Sequence, residues 1–305
     1  MANQDHIAAD RLPRSPLHQL ATTLEMIKWQ HSVFALPFAL TGAVLAASGV
    51  PSLRSLFFIV VCMVSARCAA MAFNRWADAE LDVANPRTRT RAIPAGLLSR
   101  AAVGWFTVAT SALFLIAAAQ LNRLALALAP IVLAILLLYS YTKRFTRWSH
   151  LFLGLALGLA PAGAWVAIRG NLDPRILVLT LLVLCWVGGF DMLYACQDAE
   201  HDRRVGLKSV PASLGVAGAF QIARILHLLM LALSIWLVRL FHLGPIAWIG
   251  IALVALLLLY EHSIVSPADL SRMDAAFFTM NGFVSMVFFV FVAAAVLAKH
   301  RTGIH

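Results

Sequence analysis

Charge is what this chain is short of. Only 12% of its 305 residues are Asp, Glu, Lys or Arg, roughly half the share of a soluble domain. With 61% apolar residues, a water-soluble globule would have no surface left to dissolve it. Cysteine is also scarce. Cys62, Cys68, Cys185 and Cys196 sit in or beside apolar runs and none forms a Cys-x-x-Cys, which excludes a disulfide framework and a thiolate metal site. Acidic residues number 14 against 24 Lys and Arg, a formal charge of +10. In a chain this apolar that excess reads as topogenic charge in membrane loops rather than a nucleic-acid surface. The polar stretch to Thr23 is too long for the charged lead-in of a signal peptide, so the first apolar run is expected to be a retained helix.

What the chain has in abundance is apolar runs of bilayer length. They predict an all-α, polytopic membrane bundle of about nine helices around a central cavity. The segments are expected near 24–48 (kinked at Pro37), 53–74, 101–120, 124–141, 151–168, 176–195, 219–240, 243–260 and 275–299. The shortest break is Asn122-Arg123. Residues 1–23 read as a polar tail with at most a short surface helix, and 24–305 as one domain. With nine spans, Arg87, Arg89, Arg91, Arg100, Lys143, Arg144, Arg147, Arg203, Arg204 and Lys208 fall on one side with the N-terminus. Far fewer cations fall on the other. The positive-inside rule makes the first side cytoplasmic, at the inner membrane.

Seven of the 14 carboxylates lie in two short stretches. In the first, Asn74, Asp78 and Asp82 recur every four residues, one face of a helix. In the second, Asp191, Asp198 and Asp202 are spaced by seven and four, again one face, with Tyr194 among them. Each stretch ends an apolar segment and is followed by a basic loop with Pro and Gly, a weak internal echo that would bring both faces to one cavity. Glu80 and Glu200 fall off these faces and are expected in solvent. So many anions at a membrane surface require cations. All-oxygen clusters suit Mg²⁺, which commonly bridges a few carboxylates to phosphate oxygens. Arg87, Arg89 and Arg91 after the first face, Arg203, Arg204 and Lys208 after the second, and Lys143 and Arg144 between supply the other half of a diphosphate clamp. Arg67 lies seven residues before Asn74, roughly 10 Å deeper, where an arginine needs a polar cavity or a partner. Tyr139, Ser140 and Tyr194 are the favoured pocket-lining polar residues.

Asn74-x3-Asp78-x3-Asp82, paired with Tyr194-x3-Asp198-x3-Asp202 on nine apolar segments, resembles the UbiA superfamily of intramembrane prenyltransferases. The strings Asn85-Pro86-Arg87-Thr88, Tyr139-Ser140-Tyr141-Thr142-Lys143-Arg144 and Gly206-Leu207 are similar to its 4-hydroxybenzoate polyprenyltransferase-like branch. The resemblance implies Mg²⁺-dependent transfer of a polyprenyl group from its diphosphate to a hydroxylated aromatic acid, in quinone biosynthesis. It implies one ion on Asn74, Asp78 and Asp82 and another on Asp198 and Asp202, with Asp191 assisting. Lys143 and Arg91 would face the diphosphate, and Arg67 or Lys28 the acceptor's carboxylate. Arg75 stands where many members carry Asp, which removes one candidate ligand. A naphthoate acceptor of menaquinone synthesis is the nearest alternative. A divalent-cation transporter is the alternative of another class, but it would want carboxylates on both membrane faces, and here they cluster on one.

Overall fold

The structure, a computed structural model, describes residues 16–27, 32–275 and 279–302. Among these the chain is helical and has no β-strand. Only helices and closed barrels satisfy backbone polar groups inside a bilayer. In order, the helices are α1 (Pro16–Met26), α2 (Ser32–Ala47), α3 (Leu53–Ala77), α4 (Ala79–Ala84), α5 (Arg100–Ala119), α6 (Arg123–Phe145), α7 (Ser149–Arg169), α8 (Ile176–Ala195), α9 (Ala199–Arg204), α10 (Val210–Leu240), α11 (Pro245–Ile264), α12 (Met273–Ala275) and α13 (Asn281–Thr302). A 3₁₀ turn, Cys196–Asp198, joins α8 to α9. Eight of the described helices are long and apolar enough to cross a membrane. The shorter apolar α2 brings the bundle to the expected nine. The expected first segment differs: its start belongs to α1, and α2 begins only at Ser32.

The breaks follow local chemistry. Ser52, Ser99, Asn122 and Ser209 each accept a hydrogen bond from the backbone N–H three residues on, capping α3, α5, α6 and α10. Such side chains satisfy amides that a helix leaves unpaired. The short break at Asn122 is therefore real, and the Asn122 amide also donates to the Val166 carbonyl at 2.7 Å, tying α6 to the end of α7. α10 starts earlier than the apolar run, because Ser209 and Pro211 begin a helix that breaks and resumes at Gly215, where φ is 77°.

The second half is the denser one. Phe38 of α2 packs between Trp186 of α8 and Phe288 of α13, with ring centroids 4.9 and 5.3 Å away. α7 and α8 touch backbone to backbone. A Cβ on Gly154 would lie 2.4 Å from the Leu184 carbonyl oxygen, and one on Gly158 2.6 Å from that of Thr180. Small residues allow this approach where the surrounding lipid gives no hydrophobic drive for association. Large apolar side chains on α5, α10 and α11, among them Trp105, Ile116, Leu228, Trp236, Leu256 and Leu259, face outward. That is the surface of an integral membrane protein.

Candidate active site

Both acidic stretches are built the same way. α3 ends where Asp78 leaves helical geometry (φ −96°, ψ 7°), and the six-residue α4 follows. α8 ends in the 3₁₀ turn, Asp198 leaves helical geometry in the same way (φ −102°, ψ 1°), and the six-residue α9 follows. Asp82 and Asp202, each four residues on, are buried. The two arms therefore bend at equivalent aspartates and tuck their last carboxylates inward. Glu80 and Glu200 point outward to Arg100 and Arg204.

The arms meet. Arg87, in the loop after α4, donates from Nε to Asp198 Oδ1 at 2.8 Å and from Nη2 to Asp198 Oδ2. Its Nη1 donates to the Tyr194 hydroxyl at 3.1 Å. Asn85 Nδ2 donates to the same Asp198 Oδ1 at 3.3 Å. The Asn85 side-chain oxygen accepts from the Arg87 N–H at 2.9 Å, which fixes the loop. Burial penalises the Arg87 guanidinium, but its hydrogen bonds and attraction to Asp198 leave its pKa raised overall. Arg91 Nη1 donates to Asp82 Oδ1 at 2.6 Å. Arg144 reaches Asp78 Oδ1 at 3.4 Å and the Ala77 carbonyl at 2.8 Å. Lys143 lies 3.9 Å from Asp202. Asn74 Nδ2 donates to Asp78 Oδ2 at 3.0 Å. Burial and then the neighbouring Asp82 push the Asp78 carboxyl above its ordinary pKa, against the pull of Arg144 and Lys143.

A single cavity of about 850 Å³ joins these groups. Asn74, Asp78, Asp82, Arg91, Tyr139, Ser140, Lys143, Asp191, Tyr194, Asp198, Asp202 and Arg67 all line it. Lys28, the remaining expected site residue, lies outside the described residues. Away from the arms the wall is apolar: Ile59 and Met63 of α3, Leu128, Ile131 and Ile135 of α6, Leu157 and Ala164 of α7, and Leu121 and Leu172 in the far connections. The α6 lining runs from Ala125 to Lys143, about 27 Å at 1.5 Å per residue.

Among the described residues no three His, Cys, Asp or Glu side chains sit close enough to hold a metal ion by themselves. The acidic faces are not a preformed all-protein cage, since arginines occupy oxygens of Asp198 and Asp82. Two buried carboxylate oxygens without a hydrogen-bond partner remain, Asp82 Oδ2 and Asp202 Oδ2, one on each arm. That donor set fits Mg²⁺, which takes one or two carboxylates and completes its shell with phosphate oxygens and water. Asp191 lines the same cavity as Asp198 and Asp202 but has a different partner. Its Oδ2 is bound to His150 Nδ1 at 2.6 Å. Among the described residues, the cations that end α9 and follow it form no ion pair with Asp198 or Asp202. Arg203 donates to the Ala212 carbonyl, Arg204 pairs with Glu200, and the Lys208 ammonium donates to the Phe145 carbonyl.

Sequence reasoning placed Arg87 only among the loop cations and gave no site role to Asn85, Arg75 or His150. Arg75 is buried in the cavity wall beside Asn74, to whose Oδ1 it donates at 3.4 Å. The Asn85-Pro86-Arg87 string was the available signal for the bridge. Its target more than a hundred residues away was not.

A model of the UbiA prenyltransferase family matches residues 35–298. The chain is 31% identical over 238 residues to the 4-hydroxybenzoate octaprenyltransferase of Vibrio cholerae, covering 78% of this chain and 83% of that one. It is 31% identical over 244 residues to the enzyme of the same name from Nitrosospira multiformis, covering 79% and 83%. The apo structure of a UbiA homologue from Aeropyrum pernix K1 superposes with a TM-score of 0.76 at 32% identity, over 88% of this chain and 98% of that one. A UbiA homologue from Archaeoglobus fulgidus, bound to DMAPP and Mg²⁺, shares the fold with a TM-score of 0.70 at 18% identity, over 91% and 99%.

Proposed function

The chain belongs to the UbiA prenyltransferase family and is a membrane prenyltransferase, and from that premise we propose that it joins a polyprenyl group, supplied as the diphosphate, to a hydroxylated aromatic acid of the 4-hydroxybenzoate type, with Mg²⁺, in quinone biosynthesis. One observation carries this reading: two acidic arms and their cations close one end of a cavity whose remaining wall is apolar. Such a cavity suits a molecule with a highly charged head and a long hydrocarbon tail. The names of the relatives agree with the acceptor class, and the Archaeoglobus homologue's ligands agree with the donor and the metal.

Asn74, Asp78 and Asp82 on one arm and Asp198 and Asp202 on the other would hold the metal. A dication there supplies charge neutralisation to a leaving diphosphate. Lys143, Arg91, Arg87 and Arg144 surround the same position and bind phosphate oxygens. Lys143, not locked in a hydrogen bond to its carboxylate, turns to the phosphate at least cost. As the allylic C–O bond breaks, the apolar wall keeps water from the carbocation. Tyr139 and Ser140 line the boundary between head and tail. Arg67, whose Nε is buried without a partner, holds the acceptor's carboxylate. The catalytic unit spans residues 24–305 behind a tail of residues 1–23, in the inner membrane with the arms toward the cytoplasm, where the loop cations concentrate.

The test is direct. Purified protein is supplied with geranyl diphosphate, Mg²⁺ and separate aromatic acids, 4-hydroxybenzoate and a dihydroxynaphthoate among them, and products are read by mass spectrometry. Prenylated 4-hydroxybenzoate that vanishes with EDTA is expected. Product from the naphthoate alone overturns the acceptor assignment, and turnover unaffected by EDTA overturns the metal.

A further inference from the structure

Among the described residues, six arginines and lysines line the cavity. Four of them are paired: Arg87 with Asp198, Arg91 with Asp82, Arg144 with Asp78 and Lys143 with Asp202. Arg67 and Arg75 form no ion pair among the described residues. Arg67 lies deep in the cavity. Arg75 comes eight residues later on α3, roughly 12 Å nearer the arms, in the last turn of the helix. The residue is 8% exposed. A guanidinium has five N–H donors, and the one hydrogen bond that Arg75 makes among the described residues runs from Nη1 to Asn74 Oδ1 at 3.4 Å. Arginine keeps its charge at any pH the protein meets. Arg75 is therefore a cation withdrawn from water without an anion in contact, a costly arrangement.

The surroundings of Arg75 define the anion it suits. Asp78, Asp82, Arg91 and Tyr139 lie within electrostatic reach of its guanidinium, and all four line the same cavity. The nearby carboxylates are engaged elsewhere. Asp78 Oδ1 faces Arg144 and its Oδ2 accepts from Asn74 Nδ2, while Asp82 Oδ1 accepts from Arg91. The guanidinium thus sits at the charged head of the cavity with most of its donors uncommitted. A planar fork of N–H groups matches two oxygens of one phosphate group. The acceptor's carboxylate belongs deeper, at Arg67, so the anion at the level of Arg75 is the donor's diphosphate.

Resting on the reading under Proposed function, we propose that Arg75 binds the diphosphate of the prenyl donor directly and gives the first arm a hold on it that needs no metal. The two arms then differ in where their positive charge comes from. Arg87 and Lys143, which meet the carboxylates of the second arm, come from other elements. Arg75 belongs to the first arm's own helix. Arg87, Arg91 and Arg144 must each loosen a contact with an aspartate to reach phosphate. Arg75 gives up only a long hydrogen bond to a neutral amide. The binding gained from Mg²⁺ comes on top of this fixed charge.

The test measures binding rather than turnover. Full-length protein in detergent is treated with EDTA and titrated calorimetrically with inorganic pyrophosphate and with geranyl diphosphate, and the titrations are repeated in Mg²⁺. Wild-type protein should bind both without metal. Arg75→Gln should raise the metal-free Kd for pyrophosphate by about tenfold to a hundredfold. Arg75→Lys should raise it less, since it keeps the charge but not the fork, and Arg204→Gln should leave it unchanged. Arg75→Gln should also need more Mg²⁺ for half-maximal binding of geranyl diphosphate. A residue that only steadied the fold would lower the melting temperature and leave these constants alone. Wild-type protein that binds no pyrophosphate in EDTA at millimolar concentration overturns the proposal, whether or not any variant folds. So does an Arg75→Gln variant with the wild-type metal-free Kd, or an equal loss in Arg204→Gln. Arg75→Gln that weakens 4-hydroxybenzoate binding and spares pyrophosphate also overturns it, in favour of an acceptor site. Wild-type protein that binds pyrophosphate through Arg75 but prenylates no aromatic acid overturns the proposed function instead and leaves this assignment standing.

Discussion

The two acidic arms are alike in backbone and unlike in how their charge is balanced. Each is a membrane helix, an aspartate with non-helical backbone angles after it, and a six-residue helix that carries a buried aspartate. The first arm is served partly by its own loop, through Arg91 on Asp82. The second depends on cations from elsewhere: Arg87 comes from the first arm's loop and Lys143 from α6. Its own loop turns away, and the Lys208 backbone N–H donates to the Lys143 carbonyl at 2.7 Å. A repeated element thus becomes one site only because the first loop serves both halves. The asymmetry ties the arms together: removing a cation from the first loop disturbs the second arm's carboxylate.

The largest effect expected from breaking this arrangement is loss of either non-helical aspartate. Asp78→Ala or Asp198→Ala should each lower Mg²⁺-dependent product formation by about 10³-fold, measured as initial rate at saturating geranyl diphosphate. Similar losses on the two arms would show that their functions are as matched as their backbones. Next, Arg87→Ala should lower kcat/KM by about 10²-fold, although Arg87 belongs to the first arm and its partner to the second. Arg87→Lys should recover only part, because an ammonium cannot match both carboxylate oxygens at once. If Arg87→Ala behaves like Arg204→Ala, the bridge is not what joins the arms.

A smaller effect tests the scaffold under the second arm. Gly154→Ala puts a Cβ 2.4 Å from the Leu184 carbonyl oxygen, and forcing α7 off α8 should cost about 1–3 kcal/mol, read as a lower melting temperature in detergent. Gly163, on the same helix, has nothing within 4 Å of its would-be Cβ, so Gly163→Ala should melt close to wild type. The smallest effect belongs to the exposed end of α9. Arg204 pairs only with the exposed Glu200, and Arg204→Ala should leave activity within about twofold and stability within about 0.5 kcal/mol.

Much of this site was legible in the chain. Spacings of four and seven put the aspartates on single helix faces, and their position after apolar runs put both sets at one membrane surface. Every expected site residue within the described part of the structure lines the one cavity. Partner choice was not legible. Arg203, Arg204 and Lys208 follow the second face in the same way that Arg87 and Arg91 follow the first, yet only the first loop turns inward. Nor did the spacing that placed Asp191 with Asp198 and Asp202 reveal that a histidine forty-one residues earlier would claim it.

Local chemistry alone determined the membrane class, the apolar helices among the described residues, their caps and the gathering of carboxylates at one end, because each depends on neighbours within a few residues or on apolar length. Tertiary structure decided which cation meets which anion, which carboxylate oxygens stay open, and that Asp191 faces an imidazole instead of the other acids. Those outcomes depend on how α7 seats on α8 and how the first loop crosses to the second arm. They are set by distances between residues far apart in the chain, and no periodicity along it records them.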